Sequence, residues 1–172
     1  MRTHARIVLV VAAILSMAAC NQQQAPTSPA AGQDALVGAW RSQVRFSGGA
    51  LAEMKDLEFM YVFNQAGTMT ESSNYDGAPP VPPAYGIWKQ TGPRQFEARY
   101  EFYITKSPET FDAIAKGGGW NPSGRGVLKE TLTLSDDQQS FSSTLEFTAF
   151  DAAGKPAEGG GRGSDSGNRM RF

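Results

Sequence analysis

In "VLKETLTL", residues 127–134, Glu130 shares its parity with Leu128, Leu132 and Leu134. On an extended strand alternate side chains point to opposite faces, so this carboxyl is expected on the apolar, inward side. A buried carboxylate is costly unless paired or protonated. Glu130 is thus a candidate polar contact for a ligand, or an acid/base group working with a tyrosine such as Tyr100. The structural alternative is a charge partner, Arg99 or Arg125. The remaining catalytic repertoire is thin. The single Cys, Cys20, and the single His, His4, both lie in the first twenty residues. Beyond them, Cys–His and Ser–His–Asp catalysis and Cys/His zinc sites lack their residues. Glycine-rich "EGGGRGSDSGNR" (158–169) has neither the strand-then-helix setting nor the Gly-Lys-Ser of a phosphate loop. Asp165 and Asn168 do not match a calcium loop. No metal or cofactor is expected, and binding is favoured over catalysis.

Period-two alternation supplies the elements that position Glu130. "LVGAWRSQVRF" sets Leu36, Trp40, Val44 and Phe46 against Arg41, Gln43 and Arg45. "FEARYEFYI" and "FSSTLEFTA" repeat the pattern, which marks half-buried strands. Eight strands are expected near 36–46, 56–63, 68–75, 84–91, 95–105, 125–134, 140–151 and 157–172. "NQAG", "TGPR" and "SDDQ" are tight turns; "SGGALAEMK", "DGAPPVPP" and "KSPETFDAIAKGGGWNPSG" are longer connections that alternate with them. The expected fold is all-β, an eight-stranded antiparallel up-and-down barrel closed by hairpins at one end and rimmed by long loops at the other. Such a barrel is filled by side chains or holds one small ligand. Its interior would draw on Trp40, Phe59, Tyr61, Trp88, Tyr100, Phe102, Glu130, Leu132 and Phe147, as ligand pocket or as plain core. Between strands five and six, Ser107 and Pro108 are expected to start a short helix and Lys116-Gly117 to end it. Phe111 and Ile114 on that helix, with Trp120 beyond it, would form a lid across the mouth or pack outside the barrel. Phe172 is an aromatic end residue of the kind outer-membrane barrels carry. However, "TMTESSNY" and the last strand are polar on both faces, which a lipid-facing strand cannot be.

The N-terminal segment has a different composition. Arg2, His4 and Arg6 precede "IVLVVAAILSMAA", the order of charge, apolar core and small residues in a secretory signal. Met17-Ala18-Ala19-Cys20 resembles the lipobox of bacterial lipoproteins, which implies that Cys20 is lipidated and becomes the new N-terminus. The resulting organisation is a signal peptide over 1–19, lipidated Cys and flexible linker over 20–34, and one domain over 35–172. Cleavage would remove Arg2 and Arg6 from 16 basic residues, leaving 14 against 17 acidic, a net of −3. No basic face advertises nucleic acid. The linker would span on the order of 20 Å as a coil. Asn21 after the Cys, together with the resemblance, implies an outer-membrane anchor facing the periplasm.

Gly38-Ala39-Trp40, opening the first strand, resembles the Gly-x-Trp of lipocalins and the wider calycin group. Gly86-Ile87-Trp88 is similar to a segment of small uncharacterised secreted lipocalin-like bacterial proteins. The resemblance implies a structural role for Gly38 and Trp40, with Arg169 or Arg171 on the last strand packing over Trp40. It also implies a small apolar ligand at the open end of the barrel. The competing expectation is a non-enzymatic interaction module with a filled barrel, docking a partner on its loops around Val81 and Trp120. On the ligand-binding reading Glu130→Gln should alter ligand preference more than stability.

Overall fold

The structure, a computed structural model, describes residues 35–75, 82–116 and 119–172. The signal segment, Cys20, the linker and Val81 lie outside the described residues. Eight strands follow in order: β1 (Gly38–Phe46), β2 (Leu57–Phe63), β3 (Thr68–Ser73), β4 (Ala84–Gly92), β5 (Gln95–Lys106), β6 (Asn121–Leu134), β7 (Ser140–Asp151) and β8 (Pro156–Arg169). One helix, α1 (Phe111–Ala115), lies between β5 and β6. Each strand pairs antiparallel with the next, and β8 returns to pair with β1, so the sheet closes into an up-and-down barrel. Burial alternates along β1 from Trp40 to Phe46, as the period-two pattern requires. Closure removes both sheet edges.

Some details differ from the expectation. β6 begins at Asn121, four residues before 125, because its first residues extend the pairing with β5 through Thr105↔Pro122 and Lys106↔Asn121. α1 begins at Phe111 with Thr110, in extended conformation, at its N-cap. Ser107 and Pro108 stay outside it. The β7–β8 connection is short, because the Asp151 side chain accepts hydrogen bonds from the Ala153 and Lys155 amides and turns the chain within residues 152–155. The three longer connections, β1–β2, β3–β4 and β5–β6, leave the barrel at the same end as this turn, opposite the hairpins.

The hairpin end is solid. Trp40 is fully buried, meets Phe141 edge-on at 5.4 Å, and donates its indole N–H to the Leu36 carbonyl at 2.9 Å. Trp88 lies between Phe63 and Phe96, with ring centroids 6.0 and 5.9 Å away, and its indole N–H reaches the Asn64 and Thr68 carbonyls. Both tryptophans thus bury their rings and still satisfy their donors. Of the two candidate arginines, Arg169 lies over Trp40, its guanidinium carbon 4.2 Å from the ring centroid. It also donates to the carbonyls of Val37 and Ala35, at 2.7 and 2.6 Å. Gly167 on β8 leaves the space that Phe141 fills, since a β-carbon there would lie 2.2 Å from that ring.

Candidate functional site

At mid-height the interior turns polar. Glu71 on β3, Glu130 on β6 and Asp165 on β8 all point inward, joined by Ser42, Tyr61, Tyr100 and Ser143 from β1, β2, β5 and β7. Tyr100 donates its hydroxyl to Glu130 Oε2 at 3.0 Å, and Ser143 donates to Oε1 at 2.5 Å. Tyr61 donates to Asp165 Oδ2 at 3.1 Å, and the two tyrosine hydroxyls lie 3.4 Å apart. One oxygen of Glu71 and one of Asp165 are buried with no partner among the described residues. Arg99 and Arg125 do not serve Glu130. Both point outward and pair with Glu101, Arg125 at 3.0 Å.

Among the described residues no cation faces these three acids, and burial raises all of them. Burial, reinforced by the charges of Glu130 and Asp165, pushes Glu71 up to about 8. Burial and the charge of Asp165 push Glu130 up to about 8, against the hydrogen bonds from Ser143 and Tyr100 that favour its ionised form. Burial raises Asp165 to about 6, with the hydrogen bond from Tyr61 opposing it. Tyr61 and Tyr100 are both raised, first by burial and then by the charge of Glu130.

Above this layer, towards the long loops, the barrel is hollow. A cavity of about 330 Å³ is walled by Leu57, Phe59, Phe102, Ile104, Leu128 and Phe147, with Glu71 and Ser73 among its lining. Phe102 and Phe147 stack at 6.0 Å, and a β-carbon on Gly126 would stand 2.4 Å from the Phe102 ring. That glycine is what lets the aromatic wall lie flat.

The expected interior residues therefore divide by height. Phe59, Phe102 and Phe147 line the cavity, while Tyr61, Tyr100 and Glu130 form the polar layer. Trp40, Trp88 and Leu132 are buried in the core cluster and line no part of the cavity. None of the described residues between 107 and 120, Ile114 and Trp120 included, lines the cavity; the Phe111 side chain lies outside what is described. Glu71, Asp165, Ser42 and Ser143 are site residues that the sequence pattern does not single out. For Glu71 a signal exists: it shares its parity with Met69, the one large apolar residue of β3.

A larger depression of about 860 Å³ runs along the outer wall among Lys89, Glu97, Arg99, Lys129, Glu146 and Arg162. Its rim is made of these long charged side chains, and Trp88, Ala98, Glu130 and Leu145 also contribute to its floor. The class that fold and site define is thus a small closed antiparallel barrel, solid at one end, polar and acidic at mid-height, and hollow at the other. No family model matches the chain, and no curated protein is similar to it in sequence.

Proposed function

We propose that the barrel binds a small, largely apolar molecule in the cavity at its loop-rimmed end, as a lipocalin-like carrier anchored to the bacterial envelope through Cys20. The observation that carries the binding reading is the cavity itself: apolar and aromatic walls, a few polar groups at its inner end, and a volume within the range of small-molecule sites. The Gly38-Ala39-Trp40 motif with Arg169 over its indole supports the lipocalin-like assignment. The chain enters β1 at the solid end, so a tether there turns the mouth away from the outer membrane towards the periplasm. A second reading, a protein-interaction module, has one observation in its favour. Met60 and Val62 on β2 and Tyr85 and Ile87 on β4 are exposed on the outside of the wall.

Native mass spectrometry of the full chain tests the proposal, and the same spectrum reads any acyl mass on Cys20. A defined co-purifying small molecule, or uptake of the neutral probe N-phenyl-1-naphthylamine, is expected. Ser73→Phe, which places a ring in the half-buried mouth, should reduce probe uptake at least tenfold while the melting temperature changes little. A clean apo mass with no uptake would overturn the carrier and favour the interaction module.

A further inference from the structure

Glu71 stands where the aromatic cavity meets the acidic layer. It is 6 % exposed, lines the cavity, and one of its carboxyl oxygens has no hydrogen-bond partner. A buried acceptor left unpaired is unfavourable and marks a place where a donor is missing. Nothing among the described residues supplies that donor. Tyr61 on β2 and Tyr100 on β5 are committed to Asp165 and Glu130. The other titratable groups facing Glu71 are those two acids, on β8 and β6; β1, β4 and β7 present Ser42, Ala84 and Ser143 at this height. At the mouth, Glu158, Tyr75 and Tyr103 join the lining. No lysine, arginine or histidine among the described residues lines this space or the polar layer. A metal ion is a poor fit, since no three acidic, His or Cys side chains among the described residues are grouped to hold one.

We propose that the ligand of this cavity is a protonated amine on an apolar body, its ammonium group donating to the unpartnered oxygen of Glu71 and its body lying between Phe59, Phe102 and Phe147. This rests on the reading of the cavity as a ligand site and names the class of ligand. An ammonium group provides the missing donor and offsets the repulsion among three carboxyls. The aromatic walls suit both the apolar body and a nearby cation. Because Glu71 holds its proton up to about pH 8 when the cavity is empty, an incoming ammonium displaces that proton to solvent. Amine affinity should therefore rise as pH rises towards 8, whereas a neutral ligand of the same shape should show no such dependence. An aliphatic amine titrates near 10 and stays charged throughout.

The test compares 4-phenylbutylamine with 4-phenylbutanol on the full chain, each displacing N-phenyl-1-naphthylamine, from pH 6.5 to pH 8.5. The amine is expected to bind at least tenfold more tightly than the alcohol at pH 8.5, and its affinity to rise at least tenfold across the range. In Glu71→Gln that preference should vanish while the alcohol and the naphthylamine probe still bind. Equal binding of amine and alcohol by the unaltered protein, or a preference that survives Glu71→Gln, overturns the assignment of the amine and leaves the carrier standing. If the naphthylamine probe and both phenylbutyl compounds all fail to bind, the carrier reading falls and the amine with it. The comparison on the unaltered protein decides the matter even if the variant does not fold.

Discussion

Trp40→Ala is expected to destabilise the barrel by about 3–5 kcal/mol, the usual range for truncating a buried aromatic residue. Three separate contacts are lost together. The indole fills the solid end against Phe141, its N–H fixes the Leu36 carbonyl that folds over that end, and its face carries the Arg169 guanidinium. With the ring gone, Arg169 would keep its bonds to Val37 and Ala35 but stand over a void. For a domain of this size the melting temperature should fall by roughly 10 °C or more. Thermal denaturation followed by near-ultraviolet circular dichroism measures it directly, and an unchanged midpoint would remove Trp40 from its structural role.

The second large effect is a stability that falls as pH rises. Glu71 and Glu130 have folded-state values near 8 against 4.5 for an ordinary glutamate, and Asp165 lies near 6 against 3.8. Between those limits the folded protein keeps protons that the unfolded chain has already released, so unfolding releases protons and rising pH favours it. Stability from this layer is full below about pH 4 and is lost progressively up to about pH 8. Each tenfold gain in proton affinity on folding corresponds to about 1.4 kcal/mol, and the three acids titrate together, so a total loss on the order of 2–5 kcal/mol from pH 5 to pH 8 is expected. Urea denaturation at several pH values measures the slope. Glu130→Gln, which mimics the protonated side chain, should be near neutral at pH 5 and stabilising at pH 8. A stability that climbs steadily from pH 5 to pH 8 would show that the layer is not as dry as its burial implies.

The strands with clean alternation are legible in the sequence because one face of each is apolar and the other is not. Glu130 is legible for the same reason, since leucines of its own parity flank it on both sides. Asp165 is not: its neighbours of like parity are Gly163 and Gly167, which carry no side chain to mark a face. Glu71 lies in "TMTESSNY", where both faces are polar and only Met69 indicates the interior. The division of the interior into solid end, acidic layer and cavity is not legible either. Height within a barrel depends on the register of each strand against its neighbours, and no single strand's pattern contains that information. The helix starts later than its sequence suggests. Ser107-Pro108 has good capping chemistry, yet β5 still pairs with β6 as far as Lys106 and the chain enters α1 only after Thr110.

The seam between β1 and β8 also sets an order of events in folding. Arg169 reaches back 132 positions to Val37, so this contact closes a loop that spans nearly the whole barrel. The entropy of closing so long a loop is offset only once neighbouring hairpins have shortened the effective distance. Pulse-labelled hydrogen exchange should therefore find the β1–β8 amides protected after those of β5–β6; protection of both pairs in the same phase would refute that order. During the interval β1 and β8 are open edges, the condition in which strands recruit other chains. The glycines and polar side chains of β8, which offer little apolar surface to a stranger, make that temporary edge a poor template for aggregation.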